Sequence, residues 1–153
     1  MHFELVHPMI IHFPIVLLIQ AALIDVLVVV RGGTLCGTEV LPLVGRLSLL
    51  AGAAAAVAAV VFGYIAHDIA MTKGFSDALI EQHEGLGVTT ASVFVALAIL
   101  RFAAPRLGFR FEGRRSQAVA ALTLAGVALL ITTAYFGGSL VYGHGVNVAT
   151  TTP

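Results

Sequence analysis

Four stretches of the chain, near residues 9–31, 41–66, 82–102 and 117–142, stay apolar over the roughly 20 residues an α-helix needs to cross a bilayer. In hydrocarbon a backbone must satisfy its own N–H and C=O groups, and a helix does so within one segment. The breaks between the stretches are short: 31–39, 68–82 and 105–116. Short connections suit an up-down-up-down arrangement. The expected architecture is therefore all-α, a single integral membrane four-helix bundle over residues 1–153. Composition agrees, with 59% hydrophobic and 10% charged residues against about 45–50% and about 25% in soluble domains. So much apolar surface has no place in a small soluble monomer or a disordered chain. A formal net charge of zero offers nucleic acid no basic surface. The single cysteine, Cys36, allows neither an internal disulfide nor a cysteine metal cluster. The run Ala51–Ala59 reads as a small-residue packing face, and no internal repeat is read from the sequence.

Charge orients the bundle. Met1–Pro8 carry no Lys or Arg, so the first stretch reads as a retained helix and not a secretory signal. Arg31, Arg46, Arg101, Arg106, Arg110, Arg114 and Arg115 fall toward the side of the first and third breaks. Lys73, with Glu4, Asp68, Asp77, Glu81 and Glu84, falls on the other. The positive-inside rule puts the arginine side in the cytoplasm. Both termini then lie outside the bacterial inner (cytoplasmic) membrane, in the periplasm of a Gram-negative bacterium and at the cell exterior otherwise.

All six histidines fall on that outer side: His2, His7, His12, His67, His83 and His144. Imidazole is a common neutral ligand for metals and haem, and an ionisable group within a membrane segment is a functional hypothesis by default. His12 and His83 lie about a turn inside the boundary on the first and third helices, which are diagonal in such a bundle. They are the expected axial ligands of a b-type haem iron. His67 and His144, on the other diagonal, are expected either to hold a second haem or to bond its propionates. His7 stands beside them as a further cofactor-binding residue. Gly63, Gly85, Gly87, Gly137 and Gly138 would make room for a macrocycle. Asp25 is expected to pair with Arg46, and Gln20 to bond between helices. Tyr64, Tyr135 and Tyr142 suit an interfacial belt or a contact to a propionate or a quinone. No nucleotide-binding glycine loop and no Cys-x-x-Cys-His haem attachment is present.

The opening His7-Pro8-Met9-Ile10-Ile11-His12-Phe13-Pro14 and the closing Tyr135-Phe136-Gly137-Gly138-Ser139-Leu140-Val141-Tyr142-Gly143-His144-Gly145-Val146 together resemble the bacterial membrane family called domain of unknown function 2231. His83 is the middle element of the resemblance, which spans the chain. It implies four membrane helices and singles out His7, His12, His83 and His144; His67 does not carry over. Members of that family often appear beside cytochromes and periplasmic sugar-type dehydrogenases, which implies a haem-bearing membrane partner.

The expected function is electron transfer by a b-type haem subunit, with one haem or two. It would link a periplasmic redox protein, such as a cytochrome c or a dehydrogenase, to the quinone pool or a larger complex. Quinone would be a second cofactor, and the acidic Asp77, Glu81 and Glu84 would attract a basic partner. Two other readings stand beside it: a non-haem metal site on the same imidazoles, and a structural or assembly subunit of a membrane complex.

Overall fold

A computed structural model describes residues 5–75, 77–146 and 148. Its helices are α1 (Val6–Ile10), α2 (His12–Val30), α3 (Val40–Thr72), α4 (Asp77–Arg106) and α5 (Arg114–Tyr142). α1 and α2 are one membrane-crossing unit interrupted at Ile11. Pro14 explains the interruption: it has no N–H to give the Ile10 carbonyl, and its ring crowds that group. Among the described residues, four helical segments are long and apolar enough to span a membrane: Val6–Val30, Val40–Thr72, Ile80–Arg106 and Arg114–Tyr142. α3 and α4 run past the apolar limits set by the sequence. Apolarity measures the hydrocarbon, whereas a helix continues through polar residues such as Asp68 and Glu81 until its caps.

α2 packs on α3, α3 on α4, α4 on α5, and α5 returns to α2, so α2 and α4 are diagonal, as are α3 and α5. Neighbouring helices meet in opposite order along the chain. Leu18 lies against Gly52 and Ile24 against Gly45, while His83 lies against Gly137 and Phe94 against Gly126. The core is a stack of three clusters. Leu18, Ala21, Leu49, Ala53, Phe94, Leu97, Ala98 and Leu130 fill the centre. Val28, Leu35, Ala104, Phe111 and Val119 close one end, and Ala70, Ile80 and Leu140 close the other. At the first end the two connections join: Thr34 Oγ1 and the Leu35 N–H both donate to the Phe111 carbonyl, at 2.9 and 3.3 Å. The first and third breaks thus share one end of the bundle. Phe13, Val16, Leu23, Leu47, Val61, Ile99, Leu122 and Ile131 stay exposed, the surface a lipid-facing belt requires.

The bundle is a repeat, which the sequence reading did not expect. A shift of 76 positions carries His7, Pro14, Leu18, Ala21, Ala22, Asp25 and Val28 onto His83, Thr90, Phe94, Leu97, Ala98, Arg101 and Ala104. Apart from the half-buried histidines, every member of both sets is buried. A shift of 74 positions does the same for α3 and α5, carrying Gly45, Leu49, Gly52, Ala56 and Ala59 onto Val119, Thr123, Gly126, Leu130 and Thr133. The helix ends match too. Gly32 and Gly108 both take positive φ, at 70° and 80°. The N–H groups of Gly33 and Phe109 close onto the equivalent carbonyls of Val28 and Ala104, both at 2.9 Å. The chain is two copies of one helix pair, with the equivalent diagonal helices running in the same direction.

Asp25 and Arg101 are therefore equivalent positions, and they face each other. Arg101 Nη1 donates to Asp25 Oδ2 at 2.7 Å, with both side chains essentially inaccessible. Arg101 Nη2 donates to the Leu35 carbonyl at 3.1 Å, and Thr123 Oγ1 donates to Asp25 Oδ2 at 3.2 Å. This corrects the expected Asp25–Arg46 pair: Arg46 instead donates to the Gly37 carbonyl at 3.2 Å. Gln20 is also corrected. It lies off the buried stripe of α2, between Leu18 and Ala21, and is exposed.

Candidate functional site

The stripe that buries Pro14, Leu18, Ala21, Asp25 and Val28 continues backward one heptad to His7. His7 is half-buried, and its Nδ1 bonds the Ala59 carbonyl on α3 at 2.9 Å. His83, half-buried on α4, makes the equivalent bond from Nδ1 to the Thr133 carbonyl on α5 at 3.1 Å. A carbonyl only accepts, so each Nδ1 carries the proton and each Nε2 keeps its lone pair. Neither Nε2 has a hydrogen bond among the described residues. The rings meet edge to face, with centres 6.1 Å apart and planes at 74°.

A glycine one turn beyond each accepting carbonyl makes the room. A Cβ at Gly63 would stand 3.3 Å from His7 Cε1, and one at Gly137 only 2.7 Å from His83 Cε1. Thus Ala59 with Gly63, and Thr133 with Gly137, form the same cradle twice, one for each imidazole. Beneath the second, Thr90 and Thr133 share a hydroxyl–hydroxyl bond of 2.8 Å, buried between α4 and α5. Of the other glycines, Gly85, Gly87 and Gly138 face nothing within 4 Å of an added Cβ, so they border open space and not an imidazole. Gly137→Ala is expected to destabilise the bundle by about 1–3 kcal/mol, because the ring must leave its carbonyl to admit the methyl. Gly85→Ala, with open space, should be neutral or slightly favourable. Thermal unfolding of the two variants in detergent tests the contrast.

The remaining histidines are placed elsewhere. His12 is exposed, with Nδ1 turned to the Met9 carbonyl at 3.4 Å. It is not brought to His83; five residues from His7 place it about 140° around the helix, off the buried stripe. His67 Nδ1 pairs with Glu84 Oε2 at 2.8 Å, tying α3 to α4. That pair also takes Glu84 out of the expected acidic loop; the side chain of Asp77 lies outside the described residues, and Glu81 is exposed. His144 is exposed in the turn after α5, whereas His67 is half-buried against Glu84. His2 lies outside the described residues. Tyr64, Tyr135 and Tyr142 are exposed, as an interfacial belt would be.

A family model described as predicted membrane protein (DUF2231) matches residues 5–150. No curated protein and no solved structure matches the chain.

Proposed function

The chain belongs to the DUF2231 family of predicted membrane proteins, and from that premise we propose that it is a b-type haem subunit for electron transfer. It would exchange electrons between a redox partner on the histidine side and the quinone pool or a larger membrane complex. The facing pair His7 and His83 carries this reading. Their ring centres stand 6.1 Å apart, and the rings would turn out of their edge-to-face arrangement to present both Nε2 lone pairs to one haem iron.

The donor set favours haem over a bare ion. Among the described residues no group of three or more His, Cys, Asp or Glu could hold a metal. A bare site draws three or four ligands from the protein, whereas a haem iron needs only its axial ones. Haem, when bound, supplies reversible one-electron chemistry. The chain supplies the holding groups. The carbonyls of Ala59 and Thr133 fix the tautomer, orient each ring and keep Nε2 basic. Gly63 and Gly137 leave the rings space. One equivalent pair of imidazoles supports one haem.

Orientation follows from charge. With Arg101 buried and Arg46 half-buried, Arg31, Arg106, Arg110, Arg114 and Arg115 remain exposed toward one end. That bias favours a cytoplasmic arginine end in a bacterial inner membrane. The histidine layer then lies near the periplasmic face, where exposed Asp68 and Glu81 would meet a basic partner such as a cytochrome c.

The test is a reduced-minus-oxidised spectrum of the detergent-purified protein with pyridine haemochrome analysis. A six-coordinate b-type spectrum at one haem per chain is expected. A colourless protein from haem-replete cells would overturn the proposal.

A further inference from the structure

One of the places where the repeat is broken is a charged cleft. Between the start of α3 and the end of α4 lies a cleft of about 420 Å³, lined by Leu43, Arg46, Arg101, Phe102, Pro105 and Arg106. The positions equivalent to Arg46, Phe102, Pro105 and Arg106 are Ala120, Val26, Val29 and Val30. At these four positions the opposite flank is apolar, while Leu43 and Arg101 correspond to Gln117 and Asp25. Asp25 neutralises Arg101. Arg46 and Arg106 have no carboxylate partner among the described residues; each donates only to a backbone carbonyl, of Gly37 and Phe102 respectively.

Two lining groups are also incomplete. The Nε–H of Arg101 and that of Arg46 are buried without an acceptor. A buried donor left unpaired is unfavourable, so a pair of them on one cleft calls for an acceptor there. The remaining walls, Leu43, Phe102 and Pro105, are apolar and suit an acyl chain.

We propose that this cleft binds the phosphodiester of an anionic glycerophospholipid from the leaflet at the arginine end. The phosphate oxygens accept from the Nε–H groups of Arg46 and Arg101, Arg106 closes over the anion, and the first carbons of the lipid tail rest on Leu43, Phe102 and Pro105. Basic pockets between helices on the cytoplasmic side are a known chemistry for anionic headgroups. The inference rests on membrane embedding alone and does not require haem.

The experiment is native mass spectrometry and thermal unfolding of the full chain, delipidated and titrated with phosphatidylglycerol or phosphatidylcholine. One phosphatidylglycerol per chain should be retained preferentially and raise Tm. Arg46→Gln with Arg106→Gln should weaken its binding roughly tenfold or more, with Asp25–Arg101 untouched. Should that double variant fail to fold, Arg106→Gln alone, at an exposed position, must still weaken binding severalfold. Inorganic phosphate at millimolar concentration should neither displace the lipid nor raise Tm. Equal retention of phosphatidylcholine, or unchanged phosphatidylglycerol binding in the variants, would overturn the proposal. Stabilisation by inorganic phosphate equal to that by the lipid would overturn it in favour of a soluble anion.

Discussion

Replacing His7 or His83 by alanine is expected to abolish the six-coordinate haem spectrum, while His12→Ala and His144→Ala leave it intact. Each imidazole is held by a helix carbonyl on one side and faces the other ring across 6.1 Å. Removal of either leaves a single axial ligand. The fall in haem affinity should exceed the roughly 10–100-fold that follows loss of an outer-shell partner. Helix content by circular dichroism and elution on a sizing column should match the parent, because each variant gives up only one side chain–backbone bond. Haem retained in both His7→Ala and His83→Ala would refute the assignment even if the wild type is a b-type cytochrome. Loss of haem in His12→Ala alone would move the ligand to the exposed face of α2.

The second large effect lies at the other end of the bundle. Arg101→Leu is expected to destabilise the protein by about 3–5 kcal/mol, because it leaves the Asp25 carboxylate buried without its partner. It also strips the Leu35 carbonyl of its donor, so the loop that joins Phe111 should loosen with it. Asp25→Leu combined with Arg101→Leu should recover much of that loss, since two apolar residues of similar volume remove the charge problem altogether. A double-mutant cycle by thermal or denaturant unfolding in detergent measures the coupling. A double variant no more stable than Arg101→Leu would show that the site's value is geometric and not electrostatic.

The four membrane-crossing segments were legible because hydrocarbon thickness imposes a length and a composition, and both are local properties. The shared end of the first and third breaks was legible for a related reason: short connections between spans leave few alternatives. His83 and His7 were both candidates in the sequence, but that their rings face each other was not read, because depth from the boundary was used where helical phase decides. His12 is deeper than His7, yet His7 sits on the heptad of Pro14, Ala21 and Val28. Carrying that stripe back from Asp25 would have found it. The partner of Asp25 was missed for a different reason. Arg46 is near in the chain, but Arg101 is on the diagonal helix, and no local pattern reports a contact across the bundle. The repeat left a trace in Leu50-Ala51-Gly52 with Phe62-Gly63, and Leu124-Ala125-Gly126 with Phe136-Gly137, at identical spacing. It was hard to see because buried small residues need only similar volume, so Ala59 and Thr133 serve equally to supply the accepting carbonyl of the cradle.

The two polar layers stand eighteen residues apart on α4, His83 to Arg101, and again eighteen apart from His7 to Asp25. Eighteen residues are about five whole turns and about 27 Å of helix, so each helix presents both groups in the same azimuth. At one end Asp25 and Arg101 join the diagonal helices directly, and at the other His7 and His83 are each bonded to a neighbouring helix. The helices cannot slide along one another to suit a thicker or thinner bilayer without breaking one of these bonds. Accommodation to membranes of different thickness must come from tilting the whole bundle or deforming the lipid around it. The protein is in this respect a gauge of fixed span, and the bilayer is the softer of the two.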